Sequence, residues 1–164
     1  ISKMAYTRKR TAKRTRPKDR TCYETAVYLL QFRDQSEKDL TRKLKEREYT
    51  EKEIEEAMER LRDYEYVNDE ELADELFEAY RRRAQYGDAY IHQKLKLKGL
   101  ATEKHLQLEE EIEMAAALLQ KKWGMSPKMR TDFKKSASFL LRRGFSHDAV
   151  MTVMHEMDFE ETEE

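Results

Sequence analysis

One pattern occurs three times in this chain and restricts it to tandem helical hairpins. Its clearest copy is Leu140-Leu141-Arg142-Arg143-Gly144-Phe145-Ser146-His147-Asp148-Ala149-Val150. When Leu140 is placed over Leu95 and Leu44, the apolar residue five positions later is Phe145, Leu100 or Tyr49. The basic residue before the turn is Arg143, Lys98 or Arg47, followed by Gly144, Gly99 or, in the first copy, Glu48. A residue suited to starting a helix comes next (Ser146, Ala101 or Thr50), and then an apolar position at Val150, Leu106 (slipped by one) or Ile54. Physically this is a helix ending in cations that complement its dipole, a residue in a left-handed turn, an apolar plug, and a second, capped helix. Copies offset by 51 residues (44 to 95) and 45 residues (95 to 140) predict repeats that bury one another's apolar faces.

Composition agrees with slim helices. Of 164 residues, 38% are hydrophobic and 41% charged, which suits narrow apolar stripes better than one thick core. Only four glycines and two prolines are present, so tight turns are few. The fold expected is therefore all-α, a tandem array of three three-helix repeats, elongated and curved. The net charge of −1 hides an asymmetry: residues 1–20 hold nine Lys or Arg and one Asp, whereas Glu156 to Glu164 hold six acids and no base. We expect a disordered basic arm over 1–20, repeats over 21–67, 68–113 and 114–157, and an acidic tail over 158–164, both ends being either solvated interaction segments or plain disordered termini. Cys22 is the one cysteine, which rules out an intramolecular disulfide and fits a reducing compartment. The longest purely apolar run, Met114 to Leu119, is too short to span a bilayer, and a cytoplasmic location with no membrane contact is expected.

Within the repeats the elements can be placed by stripe and cap. Ala26, Leu29, Leu30 and Phe32 mark a first helix ending near Arg33-Asp34; Ser36 with Asp39 caps a second carrying Leu40 and Leu44; Thr50 with Glu53 forms a capping box before Ile54, Ala57, Met58 and Leu61. Asn68 with Glu71 starts the second repeat, lined by Leu72, Leu76, Phe77 and Tyr80, and after Gly87-Asp88 a helix with Ile91 and Leu95 follows. A third helix is expected from Thr102 through Leu106, Leu108 and Ile112. The last repeat begins with Met114 to Trp123, restarts at Ser126-Pro127 with Phe133, Ala137, Leu140 and Leu141 facing inward, and closes on Val150, Val153, Met154 and Met157. The total expected is about nine helices.

Catalytic chemistry is not visible. The glycines at 87, 99, 124 and 144 are too far apart for a phosphate-cradling loop. Ser146, His147 and Asp148 are adjacent, and the first turn of a helix splays them, so Ser146 reads as a cap. The histidines at 92, 105, 147 and 155 lack metal-ligand spacing, Cys22 reads as a small packed thiol and Trp123 as core. No enzyme activity, metal or cofactor is expected. What remains is cations. Arg42, Lys43 and Arg47, then Lys94, Lys96 and Lys98, then Arg142 and Arg143 fall on the second helix of successive repeats and its end. They are either a solvated face or a recurring surface suited to phosphates or an acidic groove, to which Arg81-Arg82-Arg83 can add.

These residues resemble the RecX family, regulators of the bacterial recombinase RecA. The resemblance is carried by Phe32-Arg33-Asp34-Gln35-Ser36-Glu37-Lys38-Asp39-Leu40 with Lys43-Leu44, by Val67-Asn68-Asp69 and Tyr80-Arg81-Arg82-Arg83, by Ile91, Lys94, Leu95 and Lys98-Gly99-Leu100, and by Phe139-Leu140-Leu141-Arg142-Arg143-Gly144-Phe145-Ser146. It covers about residues 22–157. It implies a curved array of three three-helix repeats lodged in the groove of a RecA–DNA filament, without catalytic residues, that blocks filament growth and damps ATP hydrolysis and strand exchange. Its basic positions correspond to Arg33, Arg42, Lys43, Arg81, Lys94, Lys98, Arg142 and Arg143; Arg47 joins them from the repeat and Arg82 from the Arg81-Arg82-Arg83 triplet. Two positions depart from the family pattern: Glu48 replaces the glycine of the other copies, and Asn68 replaces an acidic residue. The basic arm is not a family feature. The expected partners are a RecA filament and single- and double-stranded DNA, with the chain acting as a monomer. A freestanding DNA-binding protein and a purely structural helical adaptor are the other readings.

Overall fold

In the computed structural model, residues 19–157 are described. The acidic tail 158–164, and all but the last two positions of the basic arm 1–20, lie outside the described residues. The described residues form α1 (Cys22–Leu30), α2 (Glu37–Glu46), α3 (Glu51–Asp63), α4 (Asp69–Arg83), α5 (Asp88–Leu97), α6 (Leu108–Met125), a 3₁₀ turn (Pro127–Thr131), α7 (Phe133–Arg142) and α8 (His147–Glu156). The fold is an all-α array of helical repeats. The chain divides into two compact units, one ending at Val67 and the other starting at Asn68.

In the first unit, three helices enclose one core of Cys22, Ala26, Leu29, Leu40, Leu44, Tyr49, Ile54, Ala57, Met58, Leu61 and Val67. Helix starts are set by side-chain caps: Ser36 accepts from the Asp39 N–H (3.1 Å), Thr50 from Glu53 (3.2 Å), and Thr21 with Glu24 closes a reciprocal capping box that the sequence reading did not pick out. Tyr49 plugs the first hairpin. Its ring is buried and its hydroxyl lies 2.6 Å from Thr25 and donates to the Arg20 carbonyl (3.0 Å), so the polar end is satisfied. Phe32, expected on the α1 stripe, is instead 71% exposed, because α1 ends at Leu30 and Phe32 lies in the turn beyond it, edge-on to Tyr28.

The recurrent turn is the same backbone device in all three copies. Glu48 (φ 67°), Gly99 (φ 72°) and Gly144 (φ 86°) are left-handed. The next residue donates its N–H back to the leucine that opens the pattern: Tyr49 to Leu44 (3.3 Å), Leu100 to Leu95 (2.9 Å), Phe145 to Leu140 (3.4 Å). This is the Schellman closure, in which the left-handed residue lets two late N–H groups reach carbonyls the helix would leave open. A further copy closes α3, where Glu65 is left-handed (φ 56°) and Tyr66 donates to Leu61 (2.8 Å). There the buried plug is Val67, one residue later, while Tyr66 is exposed.

The second unit holds two apolar clusters. One gathers Ala73, Phe77, Ile91, Leu95, Leu100 and Leu106 from α4, α5 and the segment after α5; the other gathers Ala115, Leu119, Trp123, Leu140, Phe145, Val150, Val153 and Met154 from α6, α7 and α8; Met114 packs on both. Two elements differ from the sequence expectation. No helix begins at Thr102: residues 98–107 are irregular, because Thr102 turns its hydroxyl to the Lys104 N–H and to Asp74, and polar side chains tie the segment down. In turn α6 runs straight through 113–114, where a break between repeats was expected, since Glu111, Ala115, Leu119 and Trp123 keep one buried stripe in register. Among the described residues there are eight α-helices rather than nine. Ser126-Pro127 opens only the 3₁₀ turn, and α7 is capped by Asp132, whose side chain accepts from Lys135 (3.0 Å). Phe133 and Leu141, expected inward, are exposed because the buried stripe of α7 runs through Ser136 and Leu140. Trp123 is core as expected, its indole donating to the Ser136 hydroxyl (3.0 Å), which donates to the Met129 carbonyl (2.9 Å).

The turn at Gly144 also docks α5. The Gly87 N–H donates to the Arg143 carbonyl (2.8 Å), and backbones meet so closely that a Cβ on Gly87 would lie 2.3 Å from the Gly144 carbonyl oxygen, and one on Gly144 2.4 Å from the Tyr90 Cβ. Beside this contact the buried Glu111 carboxylate accepts from the backbone N–H groups of Ser146 (3.0 Å) and Asp88, joining α6 to the starts of α8 and α5. Burial raises its pKa above the usual carboxylate value, against these two hydrogen bonds and with help from the nearby Asp88 charge.

Two outcomes are expected from these contacts. Glu48→Gly removes left-handed strain without crowding and should be neutral or stabilising by up to ~1 kcal/mol, whereas Gly144→Ala meets both strain and backbone and should cost roughly 1–3 kcal/mol; denaturant unfolding of the two variants checks the contrast. Because the folded pKa of Glu111 is raised, its contribution is fully present below the unfolded pKa and is lost as pH rises through the folded value. Glu111→Gln should therefore flatten the fall in stability between acid and neutral pH in urea titrations.

Candidate nucleic-acid interface

Each unit presents its own group of cations. In the first, Arg42 and Lys43 lie on the last turns of α2, Arg47 is its C-terminal cap residue, and Arg33 enters from the turn after α1. The four form one field. Lys43's pKa is lowered first by burial and then by the charges of Arg33, Arg42 and Arg47, opposed by Asp39. Such mutual repulsion is a cost that a bound anion would relieve. Part of the cluster also serves the helix: Arg47 donates to the Lys43 carbonyl (2.9 Å), and Arg42 pairs with Glu46 (2.8 Å) in an exposed bridge of little stabilising value.

In the second unit the cations meet aromatic rings. Tyr86 and Tyr90 stack with centres 3.8 Å apart and planes within 7°; Arg143 lies over Tyr86 (5.2 Å) and Lys94 over Tyr90 (5.3 Å), giving a column of cation, two rings and cation. Tyr80 stands edge-on to both rings, with Arg83 over it at 5.7 Å. The column follows from the Gly87–Gly144 contact, which brings the start of α5 against the end of α7, and Arg143 reinforces it through the Gln85 carbonyl (3.4 Å). The sequence reading places Tyr80 on the α4 stripe and passes over Tyr86 and Tyr90, although both flank Gly87. Their convergence depends on a turn that no local pattern specifies.

The remaining expected residues divide. Arg142 is exposed, its Nε on the Ser138 carbonyl (3.3 Å), and Lys98 occupies the C-cap of α5 as Arg47 and Arg143 do those of α2 and α7. Arg82 is exposed on α4. Arg81 is committed elsewhere: it pairs with Glu78 (2.9 Å) and Glu110 (3.5 Å), lies over Phe77 and donates to the His105 carbonyl (3.1 Å). Its charge is neutralised inside the unit, and Glu78, also paired with Lys104 (3.0 Å), has its pKa lowered chiefly by that Lys104 bond.

Comparison with known proteins decides the family. The model of the RecX first three-helix domain matches residues 22–61, and that of the RecX third three-helix domain matches residues 109–154. The chain belongs to the RecX family. Among its relatives, the regulatory protein RecX of Actinobacillus pleuropneumoniae serotype 5b (strain L20) is 34% identical over 155 residues, covering 87% of this chain and 96% of the relative. The regulatory protein RecX of Trichlorobacter lovleyi is 29% identical over 139 residues, covering 79% and 90%. In fold, the crystal structure of RecX from Lactobacillus salivarius superposes with a TM-score of 0.72 at 24% identity, over 82% of this chain and 93% of that one. The two RecX domain matches span all but one or two end residues of α1–α3 and α6–α8, and thus include both the Lys43 cluster and the Arg142-Arg143 end of α7. The family is one of regulatory proteins. Among the described residues no helix is long and apolar enough to cross a membrane.

The cluster geometry makes a direct expectation. Arg33→Ala and Arg42→Ala should each raise the Lys43 pKa toward its ordinary value, read from the pH titration of its side-chain NMR signals, while Arg82→Ala should leave it in place.

Proposed function

We propose that this protein regulates homologous recombination by binding RecA–DNA filaments, and that in doing so it inhibits filament extension, ATP hydrolysis and strand exchange. Family membership supports the recombinase as target. The observation that carries this reading is the mutually repelling cation cluster around Lys43 in the first unit; the second unit separately holds a cation–tyrosine column around Tyr86 and Tyr90. Clustered cations neutralise phosphates, and the tyrosine stack of the second unit holds Arg143 and Lys94 as further charges for the same task. Arg33, Arg42, Lys43 and Arg47 then contact phosphate or acidic filament surface, and Lys94, Lys98, Arg142 and Arg143 do so around the column. Arg81 drops to a supporting role, because its guanidinium is held by two carboxylates. No step of bond chemistry is assigned to the protein, which acts from the cytoplasm as a monomer.

A second reading is a freestanding DNA binder, favoured by the nine Lys or Arg in residues 1–20. Salt separates the two. Binding that rests on phosphate contacts alone weakens steeply as salt rises. The steady-state ATPase of preformed RecA filaments on single-stranded DNA, titrated with this protein at low and high salt, should fall at both salts well below one copy per recombinase monomer. Arg42→Glu with Lys43→Glu should weaken that inhibition roughly tenfold or more while leaving the helical circular dichroism unchanged. Absence of inhibition alongside salt-sensitive binding to bare DNA would establish the freestanding binder instead.

A further inference from the structure

The second unit brings together three side chains, two at a one-turn helical interval and a third from a segment further along the chain. Asp88 opens α5, His92 stands one turn later on the same helix, and His105 comes from the irregular segment before α6. One ligand-type atom from each residue lies within 4.8 Å of those of the other two. His105 Nδ1 is 2.7 Å from Asp88 Oδ2, His92 Nε2 is 3.6 Å from Asp88 Oδ1, and the two imidazoles stack with centres 4.5 Å apart. A tetrahedral ion with bonds of about 2.0–2.1 Å keeps its ligand atoms about 3.3 Å apart. The His105–Asp88 contact therefore opens by about 0.6 Å and the His92–Asp88 contact closes by about 0.3 Å, and the half-exposed His105 ring supplies the rest by turning.

We propose that Asp88, His92 and His105 form a binding site for a divalent transition-metal ion of the Zn²⁺ class, which pins the segment between α5 and α6. Two imidazoles and one carboxylate are the donor set that zinc and its neighbours prefer over magnesium or calcium. Outer contacts already orient the carboxylate: the Leu106 N–H donates to Asp88 Oδ1 (2.7 Å), the kind of second contact that raises a ligand's hold on a metal. His92 Nε2 lies 2.9 Å from the Lys104 carbonyl, a bond the ion replaces, leaving that oxygen or a water for the fourth position. The Lys104 ammonium, one residue before His105, is drawn to Glu78 (3.0 Å), and the Glu111 carboxylate lies near Asp88. The segment concerned is where the second unit lacks a helix, and side-chain ties hold it: Thr102 to Asp74, Lys104 to Glu78 and Arg81 to the His105 carbonyl. A metal there does for this segment what burial does for a helix.

The test uses the full chain and the metal alone. Titration with Zn²⁺ in calorimetry should show one equivalent bound, with a rise in melting temperature reversed by chelator, and Co²⁺ should give the visible absorption of a tetrahedral nitrogen–oxygen site without the thiolate band. His105→Ala and His92→Ala should each lower Zn²⁺ affinity at least roughly tenfold, and Cys22→Ser should leave it unchanged. Since His105 is exposed, its variant is expected to fold, and the Co²⁺ spectrum of the unaltered chain stands even if a variant does not. No saturable binding by the unaltered chain, binding by both histidine variants as tight as that of the unaltered chain, or loss of binding in Cys22→Ser would overturn the site.

Discussion

The left-handed closure after each second helix is the constraint on which the rest depends. It turns the chain within two residues, satisfies the open carbonyls of a leucine, and drops the next side chain into the core as a plug. Leu44, Leu95 and Leu140 are essentially fully buried, and each both packs and accepts the closing bond. Loss of the turn would therefore release two kinds of stabilisation together, a backbone hydrogen bond and about 2 kcal/mol of apolar burial per leucine. Glu48 shows how strong the requirement is. The first copy holds the same conformation with a residue that resists it.

In the second unit the same turn acquires a further task. The contact between Gly87 and Gly144 leaves no room for a side chain on either residue, so the start of α5 sits directly on the end of α7. From this one approach follow the Tyr86–Tyr90 stack, the placement of Arg143 over it, and the bridge by which Glu111 joins three helices. A structural economy results: the residues that close the repeat are also those that gather positive charge. Cations at the C-cap positions Arg47, Lys98 and Arg143 complement helix dipoles whatever they bind, so their recurrence at the turn costs the repeat little stability.

The site was legible in part. Arg33, Arg42, Lys43 and Arg47 are near one another in sequence and stay near in the fold, because helical spacing and one short turn decide their positions. Arg81 read identically to its neighbours in the triplet, yet only its direction on α4 carries it to Glu78 and Glu110, and direction within a charged run is set by packing. Tyr86 and Tyr90 carried no periodic signal. The histidines looked unrelated, since His92 and His105 meet through an irregular segment rather than through a helical interval.

The amino-acid sequence by itself determined the all-α class, most helix starts and the recurring turn, because caps, left-handed residues and 3.6-residue stripes act within a few residues of themselves. It determined the family too, through the order and spacing of those same local features. Tertiary structure alone decided that residues 98–107 stay irregular while α6 runs unbroken, that Phe32, Phe133 and Leu141 face outward, and that Arg81 is spent internally. Each of these turns on competition between burial and hydrogen bonding among distant residues. Thr102 finds Asp74 and Glu111 finds Ser146 across separations of 28 and 35 residues, and contacts that long leave no trace in local pattern.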